Sequence, residues 1–314
     1  MLQQTRVESV FGYFERFMAR FPTPSHVARA PVEDVLDAWA GLGYYSRARN
    51  LHHACCEIED MYGGEIPSDP DDFGRLKGVG SYTRGAVMSI AFNRAEPIVD
   101  GNVERVFARL FLVEENVRLT PTKKYLWSLA QTWVTDLATK EQPGDVNQAL
   151  MELGALVCLP KSPKCAQCPV KNHCGAFASD RVRELPIKSK PAPKKTIRMK
   201  ALLCTDEAGR IWVTRRPSTG VLAGLWSLPM QPVANDGFAL METPFVQIKH
   251  VFTHLIWLVD LYRQEAPVHT ASTDWGSVSQ AMTPEELAKV ALGGPSLKAL
   301  IKAGVKLPRR RGAG

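Results

Sequence analysis

The sequence predicts two domains, a mostly α N-terminal region followed by a smaller α+β one. Through about residue 157, apolar residues recur at helical spacing between Pro- and Gly-rich breaks. A basic, Pro-rich stretch follows, and beyond it short β-branched and aromatic runs alternate with period two. At 314 residues the chain is long enough for each part to bury its own core.

The first segment, "MLQQTRVESVFGYFERFMARF", places Leu2, Val7, Val10, Phe11, Phe14, Phe17, Met18 and Phe21 on one helix face. No capping residue precedes that face, so the spacing predicts a helix already running at residue 1. Breaks follow at "FPTPS", "YGGEIPSDPDD", "LKGVGS", "RAEPIVDGN" and "KEQPGD". In "ARNLHHACCEIEDMY", Leu51, Ala54, Cys55, Ile58 and Met61 share a face, which makes Cys55 and Cys56 core thiols. Trp127, Leu129, Ala130, Trp133, Val134 and Leu137 form another packing stripe. The composition divides the chain into a helical domain over 1–175, a linker over 176–198 and a second domain over 199–314. In that last part "MKALLCTDEAGRIWVTRRP" and "HVFTHLIWLVDLYR" read as strands, with "DEAG" a turn between two of them. The basic end "LPRRRGAG" reads as a solvated tail.

The formal charge of +7 favours an acidic partner such as nucleic acid. No apolar run approaches the roughly 20 residues of a membrane span, and the N-terminus lacks the segments of a secretory signal. These features predict an intracellular protein with no membrane partner, whose seven cysteines are thiols or metal ligands. Four are closely spaced. In "CLPKSPKCAQCPVKNHC", Cys158, Cys165, Cys168 and Cys174 are separated by gaps of six, two and five residues. Four such thiolates hold either a tetrahedral zinc or a cubane of four irons and four sulfides, and zinc sites usually come as two separated pairs. Lys161, Lys164 and Lys171 set positive charge around the loop, suited to DNA phosphates or simply solvated.

The C-x6-C-x2-C-x5-C pattern after a helix resembles the [4Fe-4S] loop of the endonuclease III and MutY family of DNA repair glycosylases, and all four positions match. The resemblance implies one [4Fe-4S] cluster. Ahead of it, "LKGVGSYTRGAV" sets Gly78 and Gly80 around Val79 before a helix starting near Ser81. Glycines let successive N–H groups face outward, and a helix N-terminus adds to a phosphate site, although any helix–helix turn can carry G-V-G. The segment resembles the family's helix-hairpin-helix, with Lys77 where the family hairpin has proline. Asp100 in "PIVDGNVERV" reads by itself as an N-cap. The resemblance implies that its carboxylate faces the deoxyribose of the flipped nucleotide and stabilises positive charge as the glycosidic bond breaks, with Asn102 supporting it. Members that also cut the backbone carry a lysine where this chain has Tyr82, so the resemblance implies a monofunctional glycosylase.

"MLQQT" and "GLGYYSRARN" resemble the MutY branch, adenine DNA glycosylases acting on adenine opposite 8-oxoguanine or guanine. By that resemblance Gln4 and Tyr44 wedge into the base stack, with Gln3 beside them, Thr5 and Leu42 lie near the oxidised guanine, and Gln148 reads the adenine edge. "VTRRPSTGVLAGLWSLP" resembles the family's MutT-like (Nudix) domain but lacks the R-E-x-x-E-E box that holds Mg²⁺, which implies binding rather than hydrolysis. Phe252, Thr253 and His254 match its lesion-recognition loop; by themselves they read as a strand threonine and a core histidine. The family places its general-acid glutamate two positions ahead of the methionine of this motif, which leads to the expectation of a longer protein whose catalytic acid precedes Met1. Alternatives are a non-catalytic lesion-binding fragment, or an endonuclease III-like glycosylase/lyase, which Tyr82 and the second domain oppose. Family membership further implies a partner of duplex DNA with 8-oxoguanine:adenine mispairs, a monomer, and, if the source is bacterial, a nucleoid-associated cytoplasmic protein.

Overall fold

The computed structural model describes residues 1–3, 5, 7–233, 243–264 and 278–308. In chain order the elements are α1 (Val7–Arg20), α2 (Pro24–Arg29), α3 (Val32–Ala38), α4 (Ser46–Tyr62), α5 (Pro70–Arg75), α6 (Ser81–Phe92), α7 (Gly101–Leu110), α8 (Thr120–Leu137), α9 (Pro143–Glu152) with a π-helical extension (Leu153–Val157), α10 (Gly175–Ala178), β1 (Lys195–Cys204), β2 (Ile211–Arg215), β3 (Trp226–Ser227), β4 (Met230–Pro232), β5 (Val246–Val251), β6 (Leu255–Gln264), β7 (Ser279–Met282), α11 (Pro284–Leu287) and α12 (Gly294–Lys302). Helices α1 to α10 thus precede the strands, as the sequence predicts, and α11 and α12 follow β7 in the α+β part. No helix among the described residues is long and apolar enough to cross a membrane. Packing groups the chain into two compact units, Met1–Cys56 with Ala192–Gly314, and Glu57–Pro191.

Several helices start where the sequence supplies a cap. Thr23 accepts the His26 N–H ahead of α2, and Asp69 accepts the N–H groups of Asp71 and Asp72 ahead of α5, each with proline next in the chain. Thr283 and Glu286 close a capping box on α11. The first helix departs from expectation: α1 begins at Val7, not at residue 1. The carbonyls of Met1 and Gln3, which a helix would spend on its own ladder, accept from the Arg47 guanidinium instead. Only Val10, Phe17 and Phe21 of the predicted apolar face are buried, while Val7, Phe11, Phe14 and Met18 are exposed. Periodicity marks a wide apolar arc; a partner covers only part of it.

In the first unit, Val10, Phe17, Phe21, Val35, Leu36 and Trp39 share a core with Leu225 and Ala291. The Asp37 carboxylate accepts the Ala291 N–H at 2.7 Å, and Arg49 donates to the Ala223 carbonyl at 2.6 Å. Cys55 lies in this core as expected and Cys56 is half-buried, whereas Met61 is exposed. Two sheets follow, ordered β4-β1-β6-β5 and β3-β2-β7. β1 and β6 pair in parallel, Met199 opposite Val259 and Ala201 opposite Leu261, and the other pairings are antiparallel. The "DEAG" turn joins β1 to β2, but the strands then diverge into different sheets. A turn motif fixes a reversal; it does not choose the hydrogen-bonding partner.

In the second unit α7 is central, with Val103, Phe107 and Ala108 fully buried and Phe107 stacked edge-on with Phe111 and Trp133. Buried Asn147 accepts the Ile98 N–H at 3.0 Å and donates to the Glu96 carbonyl at 2.8 Å and Ser89 Oγ at 3.0 Å. Gly85 brings α6 so close to the same segment that a Cβ there would lie 1.9 Å from the Pro97 carbonyl oxygen. These contacts fix the chain just ahead of Asp100. The predicted linker begins within this unit: Leu185 is 2 % exposed, and its carbonyl accepts from Arg109.

Candidate functional site

Between α5 and α6 the chain turns through "LKGVG". Gly78 has φ +81, the left-handed region that favours glycine. Gly80 N-caps α6, and a Cβ there would meet nothing within 4 Å, so its amide edge is open. The Val79 N–H donates to the Leu76 carbonyl at 3.1 Å. Glu57 accepts the Lys77 N–H at 2.7 Å. A proline has no N–H to give, so lysine at this position gains an anchor that replaces part of the lost ring rigidity. An exposed glycine edge leading into a helix N-terminus is suited to a phosphate.

Asp100 is an N-cap, as its residue type predicts: Oδ1 accepts from the backbone N–H groups of Asn102 and Val103, both at 2.8 Å. Its second oxygen takes the Asn102 side-chain amide at 2.9 Å. The carboxylate is therefore held rigid by three donors of its own turn while remaining half-buried. Burial raises the Tyr82 phenol above its ordinary range and the nearby Asp100 charge raises it further, so Tyr82 stands neutral beside the carboxylate. Tyr82, Asp100 and Asn102 are thus brought together. Gln148 is exposed on α9 and donates to the Gly144 carbonyl of its own helix at 3.1 Å.

A second ring of contacts lies behind Asn102. Arg105 donates to Asn102 Oδ1 at 2.9 Å, to the Gly154 carbonyl at 2.6 Å and to the Cys158 carbonyl at 2.6 Å. Gly154 packs so tightly that an added Cβ would sit 2.5 Å from Asn102 Cβ. One turn on, Arg109 donates to Cys158 Sγ at 3.2 Å, to the Leu159 carbonyl at 2.8 Å and to the Pro160 carbonyl at 3.1 Å. Cys158, Cys165, Cys168 and Cys174 line one pocket together with Arg109 and Lys171. Among the described residues no three His, Cys, Asp or Glu side chains converge as they would on a single metal ion. Burial raises the Cys165 thiol, and the other three thiols raise it further while Arg109 lowers it, which is what four sulfurs around a shared space produce. Thiolates spread around a pocket, with a cation donating to one of them, fit an iron–sulfur cubane. Lys161 and Lys164 are exposed, and Lys171 lies over the Phe177 ring.

In the first unit, Tyr44 is half exposed and has φ +47, a left-handed conformation uncommon for an aromatic residue. Leu42 is buried in the helical core, Thr5 Oγ1 accepts from Arg47 at 3.2 Å, and Gln3 is exposed. Gln4 lies outside the described residues. Phe252, Thr253 and His254 form the tip of the β5–β6 hairpin, closed by the Phe252 N–H donating to the Leu255 carbonyl at 2.8 Å. Phe252 packs between His250 and Trp257, while Thr253 and His254 are exposed. The strand-threonine and core-histidine readings of those two residues are therefore corrected: a two-sided tip offers them no core to enter.

Residues 1–133 match the HhH-GPD superfamily of base excision DNA repair proteins, 158–174 the iron-sulfur binding domain of endonuclease III, and 200–302 the NUDIX domain. The adenine DNA glycosylase of Arabidopsis thaliana is 37% identical over 73% of this chain and 41% of its own length, and that of Schizosaccharomyces pombe 35% over 73% and 58%. The adenine DNA glycosylase of Buchnera aphidicola subsp. Baizongia pistaciae is 30% identical over 83% of this chain and 74% of its own. The chain belongs to the adenine DNA glycosylase family. It spans about half the length of the first two of these relatives. A thermostable thymine-DNA glycosylase matches in structure at 27% identity and TM-score 0.50, over 57% of this chain and 80% of that one. Within this adenine DNA glycosylase fold, residues 158–174 are an iron–sulfur loop for one [4Fe-4S] cluster.

Three arginines of the site are not evident from the sequence motifs: Arg47, Arg105 and Arg109. The last two stand one helical turn apart on α7 and are buried to 8 % and 2 % exposure. An Arg pair at i, i+4 on a helix that also carries Val103, Val106, Phe107 and Leu110 was the available signal, since guanidinium groups are buried only with partners.

Proposed function

We propose that the chain is the glycosylase portion and lesion reader of a monofunctional adenine DNA glycosylase, acting in base excision repair on adenine paired with 8-oxoguanine or guanine in duplex DNA. The observation that carries this reading is the Tyr82–Asp100–Asn102 arrangement: a fixed, half-buried carboxylate beside a neutral phenol. Asp100 stabilises the oxocarbenium-like sugar as the base leaves, and Asn102 holds its second oxygen in place. Tyr82 cannot form a Schiff base, so the strand stays intact. Gly78, Val79 and Gly80 hold the DNA backbone. Cys158, Cys165, Cys168 and Cys174 hold the [4Fe-4S] cluster, which would make the loop a rigid platform with Lys161 and Lys164 toward phosphates.

The helical part, 1–175, carries excision, and the part over 199–314 recognises the lesion through Phe252, Thr253 and His254. Gln3, Gln4, Thr5, Leu42 and Tyr44 fill the base stack and face the oxidised guanine, while Gln148 reads the adenine. The protein works as a monomer in the compartment that holds the DNA. A single-turnover assay on duplexes with adenine opposite 8-oxoguanine tests the reading, comparing the chain with Asp100→Asn, which keeps a competent N-cap but removes the charge. Adenine release that this substitution abolishes supports the enzyme. Tight lesion binding with no release favours the binding protein, and a nicked strand without added base would sink the monofunctional assignment.

A further inference from the structure

We propose that Arg47 is the positioning residue of the base-stack wedge, locking Tyr44, Gln3 and Thr5 into one rigid element. The inference rests on the lesion-reading role given above to Tyr44, and it names the residue that makes that role possible. Tyr44 stands at the end of "GLGY", where Gly41 has φ +107, Gly43 φ +71 and Tyr44 itself φ +47. The two glycines take the left-handed conformation freely, but for the aromatic Tyr44 it is costly unless the surroundings hold it. Arg47 supplies that hold. One terminal nitrogen donates to the Met1 carbonyl at 2.9 Å and to the Gln3 carbonyl. The other donates to Thr5 Oγ1 at 3.2 Å, the Gly43 carbonyl at 3.2 Å and the Leu42 carbonyl at 3.4 Å.

The guanidinium plane also lies over both rings that frame the loop, 5.3 Å from the Trp39 centroid and 5.7 Å from that of Tyr44. Trp39 adds an N–H to the Gly43 carbonyl at 3.3 Å. A planar fork suits this set of acceptors. Lysine, a point charge on a flexible stem, could satisfy only part of it. A half-exposed aromatic can displace stacked bases only if it does not swing aside under their pressure, because ordering it on contact would cost the freedom that Arg47 has already removed.

The test uses the full chain with its cluster and measures binding by fluorescence anisotropy to an 8-oxoguanine:adenine duplex and to an undamaged duplex, at fixed salt. Tyr44→Ala should lower the ratio of the two affinities by about 5- to 160-fold, the range of one base–aromatic stacking contact. Arg47→Gln should lower it comparably, and the double variant should be no worse than either single one. Arg47→Lys should restore affinity for undamaged DNA but not the ratio, which separates lost charge from lost position, and it carries the test if the glutamine variant fails to fold. Hydrogen exchange of residues 41–47 should quicken in both Arg47 variants. A wild-type ratio and unchanged exchange in them, or effects of Arg47 and Tyr44 that multiply, would overturn the proposal. If the unaltered chain shows no lesion preference, the functional reading fails instead, and the exchange measurement still decides whether Arg47 holds the loop.

Discussion

Replacing Arg105 by alanine removes the connection between the Asp100 turn and the cysteine loop. Arg105 is 8 % exposed and closes on the Gly154 and Cys158 carbonyls at 2.6 Å each, on Asn102 Oδ1 at 2.9 Å and on the Gly101 carbonyl at 3.2 Å. Gly101 lies within α7, where the helical ladder supplies an alternative partner. The Gly154 and Cys158 carbonyls lose the group that tied them down, at about 1–3 kcal/mol each for a buried acceptor left unsatisfied. Relief of the buried charge offsets part of this, so the net cost is about 3–4 kcal/mol, a large share of a stability of about 5–15 kcal/mol. A domain of this size loses about 2–4 °C per kcal/mol, so the thermal midpoint should fall by roughly 10 °C. Circular dichroism of the intact protein, followed in parallel with cluster absorbance, reads both the fold and the loop. Arg105→Lys should recover less than half of the loss, since one ammonium cannot span three acceptors in different directions. A midpoint within about 3 °C of the unaltered chain would refute the reasoning, because it would mean these carbonyls find other partners at no cost.

Two glycines should behave oppositely. Gly85→Ala drives a Cβ to 1.9 Å from the Pro97 carbonyl and should destabilise the fold strongly, whereas Gly80→Ala meets open space and should leave the melting curve unchanged while weakening salt-sensitive DNA binding, both measurable by calorimetry and filter binding. Glu57→Ala should weaken DNA binding severalfold by freeing the Lys77 N–H, and Lys77→Pro should remove that dependence; equal losses in both backgrounds would show that Glu57 acts otherwise. Burial pushes the Cys55 and Cys204 thiols up to about 11, so at pH 8 about one in a thousand is a thiolate in the folded chain. Mass spectrometry after brief maleimide treatment should find both unlabelled until denaturant is added, and rapid labelling of either in the folded protein would contradict their burial.

Much of this molecule is set by local chemistry that a sequence displays. Asp69, Thr23 and Thr283 cap helices because a short oxygen-bearing side chain reaches the next turn's amides wherever it stands. The four cysteines announce a thiolate-rich loop by spacing alone, and Gly78 announces a backbone that other residues resist. Asp100 was legible as a cap for the same reason, and the cap is the device that fixes its carboxylate.

What packing decided has no local signature. α1 could not be given its start at Val7, because the competitor for the Met1 and Gln3 carbonyls is Arg47, far along the chain. Its apolar arc did not reveal that Val10, Phe17 and Phe21 are covered while Phe11 and Phe14 are not, since the cover includes Leu225 and Ala291 from the other end of the sequence. Composition divided the chain in order, but burial follows spatial neighbours, and residues 1–56 pack with 192–314. In sequence Arg105 shows only as half of an i, i+4 arginine pair, which points to buried partners without saying which they are. Only the tertiary fold brings Gly154 and Cys158 to it, and a guanidinium's role is set by the acceptors that surround it rather than by its own position in the chain.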